Sequence, residues 1–372
     1  MAKPKEGVSS FQRANLKRPC IPGTRLSLRN AQLLVSSGIP SFDNFIGGGL
    51  PVGTIYCIEE DVSGVFSTLM LKHFVAEGVL NGHFITLASQ NAQPQELVKE
   101  LPTPVVDSIA SHTNSDQMKI AWRYEGLNPN EGSNSKASFG HIFDTSKVMD
   151  IETLDLGRIS YWDPSEDVLN ASDSSLGPYL NLLKFISRQI EACVCKVESK
   201  SDKKNIIRIA LHCVASPLWQ ETSSMSSKQM LPQFLKFMYC LKSIVRSSYA
   251  VCMVTVPVHL FRDPCTVHRL RHVVDISAHV ESFMDAEDET NEAYKEYSGL
   301  FHFKKLFSIN TIVPHPSEGL DLAFKLRRKR FIIEKLCLPP DLSSSESSSS
   351  LGCASSVLKN PSSKRGCGSL DF

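Results

Sequence analysis

Residues 37–68, SGIPSFDNFIGGGLPVGTIYCIEEDVSGVFST, read as a loop, a strand, a tight loop and a helix, and the remaining chain is arranged around that reading. Gly47, Gly48 and Gly49, followed by Pro51 and Gly53, form a dense turn cluster, because glycine admits positive φ and proline fixes its own. Thr54 to Ile58 is a β-branched apolar run of buried-strand length, and Val65 to Ala76 carries apolar residues at helical intervals. Strand, short loop and helix is the layout of a phosphate-binding P-loop.

The chemistry of such a loop is missing. A working P-loop needs glycines that let backbone N–H groups close around phosphates, a lysine for the β and γ phosphates, and a Ser or Thr for magnesium. Here the loop is Glu59, Glu60, Asp61, Val62, Ser63, Gly64, Val65, Phe66. Gly64 stands where the last loop glycine belongs, whereas Val65 and Phe66 take the lysine and hydroxyl places. Three carboxylates lie where phosphates would arrive, and at about 6 Å and an effective dielectric near 20 each repels a phosphate charge by roughly 3 kcal/mol. The expectation is a degenerate loop that holds no cofactor.

A glycine cluster alone fits a hairpin in any α/β domain. The order SGIxxxDxxIGGGLPxGTI ahead of a loop and helix, however, resembles the segment leading into the first strand of the RecA-type ATPase core. That resemblance implies a RecA-like α/β fold that has lost its nucleotide motif.

The chain has 372 residues and 42% hydrophobic content, enough for one large α/β domain with tails. Its net charge of +1 hides a basic start, and residues 1–30 read as a mobile basic tail. Eleven cysteines, odd in number and mostly inside apolar runs, suit a reducing compartment. Cys193 and Cys195 fit neither a zinc knuckle nor a CxxC site, so no metal is expected. No apolar run reaches the roughly 18–20 residues needed to span a bilayer, and no signal peptide is evident.

After the first helix come a strand at Phe84–Ala88 and a short helix from Pro94 stopped by Pro102 and Pro104. Residues 103–177 read as an irregular insertion with apolar islands at Met118–Tyr124 and His141–Phe143. From Pro178 a helix presents Tyr179, Leu182, Leu183, Ile186 and Ile190 on one face. Ile206–Cys213 is a continuous apolar strand, Leu231–Arg246 a helix and Ala250–Val256 another buried strand, which implies right-handed βαβ units and a mostly parallel sheet. The second strand-end acid of an active enzyme is missing too, since Ile206–Cys213 ends in His212 and Cys213 with no carboxylate until Glu221. His272–Val280, Leu300–Ile309 and Leu322–Ile333 read as strands of an antiparallel extension. The domain is expected to span 31–336, with a serine-rich disordered tail over 337–372.

Several short motifs in this order resemble one family. Beside IGGGLPxGT there are Met118–Tyr124 as MKIAWRY, Ser216–Trp219 as SPLW, Val280–Phe283 as VESF, Asp321–Arg328 as DLAFKLRR, Leu338–Asp341 as LPPD and the terminal Leu370–Phe372. The chain is similar, over about residues 31–341 and at its extreme C-terminus, to the fourth-subunit family of the Elongator complex, the PAXNEB family. The resemblance implies a non-catalytic RecA-like subunit, found in cytoplasm and nucleus. It implies partners in Elongator subunits five and six, forming a hetero-hexameric ring with two copies of each, and in the catalytic subassembly of subunits one to three. It further implies tRNA binding in support of 5-carboxymethyl-type modification of the wobble uridine, and so a bearing on translation. Two other readings stand beside it: an unorthodox P-loop NTPase completed by neighbouring ring subunits, and a transcription-associated protein.

For RNA contact the candidates are Lys325, Arg327, Arg328, Lys329 and Arg330. On one continuous strand Lys325, Arg327 and Lys329 would share a face, with Arg328 and Arg330 on the other beside Phe324 and Leu326. Such a strand needs partners for its charges on either face, supplied by solvent or by phosphate. The same run also fits a charge-guarded edge strand or a nuclear-import signal.

Overall fold

A computed structural model describes residues 21–27, 31–105, 139–164, 177–197, 204–219, 227–285, 294, 296–309 and 321–336. The MKIAWRY and LPPD motifs, Glu221, nearly all of the basic tail and the whole serine-rich tail lie outside these residues. The described chain belongs to the compact unit that ends at Leu336.

The lead-in segment builds a small antiparallel sheet of β1 (Thr24–Leu26), β2 (Leu33–Val35) and β3 (Leu50–Pro51), with α1 (Pro40–Phe45) inserted before β3. β1 thus draws part of the expected 1–30 tail into the fold. The first core strand, β4 (Ile55–Glu59), leads into α2 (Val65–Leu80), then β5 (Phe84–Ser89), α3 (Pro94–Lys99) and β6 (Pro102–Pro104). β7 (Phe143–Val148), α4 (Ile151–Asp155), β8 (Arg158–Trp162), α5 (Pro178–Ala192), β9 (Ile207–His212) and α6 (Ser227–Arg246) follow. β10 (Ala250–Val256), α7 (Pro264–Val273), β11 (Ile276–Ser282), β12 (Gly299–Lys305), β13 (Leu322–Arg327) and β14 (Arg330–Lys335) complete it.

Nine of these strands form one sheet in the order β14-β13-β12-β11-β4-β10-β9-β5-β8. β11, β4, β10, β9, β5 and β8 are mutually parallel, whereas β12, β13 and β14 add antiparallel pairs beyond β11. Numbered in chain order, the five core strands β4, β5, β9, β10 and β11 lie 5-1-4-3-2 across the sheet, so the chain order reverses beside β4. β8 shows that the segment 103–177 is not wholly an irregular insertion: Arg158–Trp162 pairs in register with Phe84–Ala88. The reading of His272–Val280 as strand also changes, because α7 runs through His272 to Val273 and the strand starts at Ile276.

Strand alternation divides the core into two layers. Tyr56 and Ile58 of β4, with Ile85, Leu87, Ala210 and Met253, pack on Phe66, Met70 and Phe74 of α2. Ile55 and Cys57, with Ile209, Leu211, Cys252 and Val254, face the opposite layer of Tyr179 and Leu182 from α5, Phe234 from α6 and Leu270 from α7. β4, β9 and β10 are buried at every position, as parallel strands covered on both faces must be. Each fully buried large apolar side chain contributes about 1.5–3 kcal/mol. α2 lies so close to the sheet that an added Cβ at Gly78 would meet Arg208 Cδ at 2.7 Å, so only glycine fits there.

No helix of the described residues is long and apolar enough to cross a membrane. Among the described residues no group of three or more His, Cys, Asp or Glu is arranged to hold a metal ion.

Candidate functional site

The carboxyl ends of β4, β9, β10 and β5 converge where α/β folds of this kind bind ligands. The loop from β4 to α2 sits at their centre, and the structure gives each of its three acids a different task.

Glu59 ends β4 with a fully buried side chain, held between β10 and β11 by pairing with Val256 and His279. Arg271 of α7 donates Nε and Nη2 to its two carboxylate oxygens, both at 2.6 Å, and Ser277 Oγ donates at 2.9 Å. His279 Nδ1 stands 3.6 Å away. Burial pushes the Glu59 carboxyl up, but Arg271, Ser277 and His279 together hold it below its ordinary value. Glu60 is buried with less compensation. Cys213 Sγ donates to Glu60 Oε2 at 3.4 Å, while Oε1 has no hydrogen-bond partner. Burial therefore raises the Glu60 carboxyl, and it raises the Cys213 thiol to about 12.

Asp61 turns inward onto the helix. Its carboxylate accepts Phe66 N at 3.2 Å, Ser67 N at 3.0 Å and Ser63 Oγ at 3.0 Å. These first-turn N–H groups, with the positive end of the 16-residue α2 behind them, are the donors that a P-loop turns to phosphate. A carboxylate from the chain thus fills the anion position. Gly64 reverses the backbone there at φ 68°, and Gly64 N closes the turn on Asp61 O at 2.9 Å. Val65, in the lysine place, is 51% exposed, and Phe66, in the hydroxyl place, is buried against Phe324 at 4.6 Å between ring centroids.

The end of β9 carries a neutral relay instead of an acid. Ala92 N donates to Ser89 Oγ at 3.1 Å, and Ser89 Oγ meets His212 Nδ1 at 2.9 Å. His212 Nε2 meets Thr68 Oγ1 at 3.1 Å, which donates to Gly64 O at 2.6 Å. Thr68 spends its proton on Gly64, so His212 must carry hydrogen on Nε2 and accept from Ser89 on Nδ1. Burial, aided by Lys72, lowers the His212 imidazole to about 4. Beyond it Cys213 and Ala215 adopt φ of 50° and 66°, a left-handed path that delivers Trp219 into a stack between Trp162 and Tyr179 at 5.3 and 5.5 Å. The SPLW motif is therefore a packed plug, anchored by Trp219 Nε1 donating to Cys213 O at 2.9 Å.

The basic candidates do not lie on one strand. Arg327 pairs with Arg330 across a hairpin whose two central residues, Arg328 and Lys329, have φ of 47° and 68°. The alternation expected over 325–330 is corrected by this two-residue turn, because a turn ends the two-residue period. Lys325 is buried, ion-paired with Glu334 and set over the Tyr297 ring at 5.2 Å. Arg327, Arg328 and Lys329 are exposed, and Arg330 starts the return strand half-buried. Because β13 runs parallel to β4, the tip lies at the same sheet edge as the closed loop.

Arg271, Ser277 and His279 escape any local reading, since Arg271 lies 212 positions from Glu59. Asp61→Ala is expected to destabilise the fold by about 1–2 kcal/mol in urea unfolding, leaving two first-turn N–H groups without an acceptor. Asp61→Asn, which keeps one acceptor oxygen, should lose less than half as much, and equal losses would refute the capping role.

The strand order, the antiparallel strands beyond β11 and the loop filled by its own aspartate define a RecA-like domain with a degenerate phosphate site. A KaiC-like protein from Pyrococcus horikoshii is a structural neighbour at TM-score 0.45 and 16% identity, covering 82% of this chain and 99% of its own. The chain belongs to the PAXNEB family, whose family model matches residues 17–372. It is 38% identical to Elongator complex protein 4 of Danio rerio, over 95% of each chain. To the Homo sapiens protein of that name it is 37% identical, over 93% of this chain and 88% of the relative.

Proposed function

We propose that this chain is a non-catalytic subunit of the Elongator complex. In this reading it joins the fifth and sixth subunits in a RecA-like ring, two copies of each, docked on the subassembly of subunits one to three. The ring binds tRNA and supports 5-carboxymethyl-type modification of the wobble uridine, in cytoplasm and nucleus. Support comes from the relatives, which share the name Elongator complex protein 4. The observation that carries the non-catalytic part is Asp61, whose carboxylate occupies the donors a nucleotide phosphate would need. Glu59 is likewise engaged, by the Arg271 guanidinium on both of its carboxylate oxygens. The same two observations weigh against a P-loop NTPase completed by ring neighbours.

The test tags the chain and purifies it at its natural level. Subunits five and six should appear in equal amounts with it, sedimenting as one species near six chains, because head-to-tail contacts that close give a ring. Titration of the isolated chain with Mg-ATP should show nothing tighter than about 1 mM. A one-to-one pair with no larger form would overturn the ring, and micromolar ATP binding lost on changing Gly64 would restore the enzyme reading.

A further inference from the structure

The β13–β14 turn is chemically out of place. A two-residue hairpin whose central residues both have positive φ favours Asn-Gly, and side chains with a Cβ are strained there. Here the positions hold Arg328 and Lys329, at φ 47° and 68°. Backbone strain retained at an exposed position points to what those side chains do rather than to the turn itself.

Three further observations converge on the same tip. Arg327, Arg328 and Lys329 are exposed and, among the described residues, form no ion pair, whereas Lys325 on the same hairpin is matched by Glu334. Their positive charge is thus left unspent within the fold. The tip is also held in place: Thr145 of β7 donates both its N and its Oγ1 to Lys329 O, each at 2.8 Å. Asp144, beside that contact, has its carboxyl lowered first by hydrogen bonds from Ser146 and to a smaller degree by Lys329, so one acid stands near the three bases of the tip. Finally, the base of the hairpin is rigid, because Phe324 and Phe331 pack on each other at 5.6 Å and on Phe66 of α2.

We infer that the hairpin tip Arg327-Arg328-Lys329 is a preset phosphate clamp for an RNA backbone. The inference rests on the tRNA-binding reading above and names the site. The two adjacent left-handed residues are both exposed, and arginine guanidinium groups are suited to phosphate oxygens. A backbone-gripping element of this kind adds affinity and position without reading sequence.

The test uses the assembled complex and an unmodified tRNA transcript, with affinity measured over a series of salt concentrations. In one variant, Arg328→Asn with Lys329→Gly installs the turn's preferred residues. In a second, Arg328→Gln with Lys329→Gln removes the charge but keeps the strain. Both should lower the log–log salt slope by about two, so that the affinity loss at 50 mM salt exceeds that at 200 mM by about 16-fold. Only the first should raise the thermal midpoint of the complex. Arg328→Lys with Lys329→Arg should leave the slope unchanged.

If the unaltered complex binds tRNA and both neutral variants keep its slope, the clamp is overturned and the tRNA-binding reading survives. Failure of the unaltered complex to bind tRNA overturns that reading and the clamp together. If the neutral variants instead dissociate the complex, the tip docks an acidic protein surface and the RNA assignment is wrong.

Discussion

Arg271→Ala is expected to destabilise the chain by about 3 kcal/mol, because it strands the Glu59 carboxylate inside the protein. The range for breaking a buried pair reaches about 5 kcal/mol, and the lower end applies since the Arg271 side chain is 26% exposed against 1% for Glu59. Ser277 and His279 remain beside Glu59 in the variant, but neither supplies the two parallel charge-assisted bonds at 2.6 Å. A paired replacement, Glu59→Gln with Arg271→Met, removes both charges and should lose less than half as much. Urea midpoints at constant slope measure both. A single-variant loss under about 1 kcal/mol would show that water reaches Glu59 and that β4 does not depend on α7 at this end.

Acid is expected to weaken the fold early, by about 3 kcal/mol between pH 7.5 and 5.5. His73, His83 and His212 are all buried and neutral, lowered chiefly by burial from 6.5 to about 4, 3 and 4. His83 is pressed further by Arg208 and His212 by Lys72, whereas Glu77 pulls His73 and His83 slightly the other way. Across this interval the unfolded chain binds protons that the folded chain refuses, so stability falls as pH falls. Each histidine loses about 1.3 kcal/mol. Asp43 acts oppositely: burial raises its carboxyl to about 6, so the folded state takes its proton first and regains about 0.8 kcal/mol. His141, raised by its bond to Glu77, adds to that side. Urea midpoints at the two pH values decide the matter, and an unchanged or rising midpoint on acidification would contradict the buried neutral histidines.

Much of the architecture was legible in the residues because it depends on local properties. The glycines and prolines of 47–53 dictate their own backbone angles, and Gly47, Gly48 and Gly49 adopt positive φ of 90°, 110° and 137°. The largely apolar runs at 55–58, 207–211 and 250–256 read as parallel strands covered on both faces, and the missing lysine and hydroxyl at 65 and 66 were plain. The hairpin at 328–329 was hidden for the opposite reason: neither residue is one that a positive-φ turn prefers, so nothing local interrupted the apparent strand.

What each charge does was decided in three dimensions. Asp61 stood in the sequence as one of three repelling acids. It became a helix cap only because the reversal at Gly64 brings the first-turn N–H groups of α2 onto it. Arg208 passed as part of an apolar strand, yet it is fully buried, bonded to His83 Nδ1 at 3.1 Å and Phe74 O at 3.0 Å, and is accommodated by the missing side chain of Gly78. The residues by themselves determined which segments become strands and helices and that no ordinary phosphate cradle could form, since φ preference, periodicity and side-chain chemistry belong to short stretches of chain. Which acid is paired, which caps a helix and which base stays free were left to the tertiary structure, because charge energies depend on distance and burial between groups that only folding brings together.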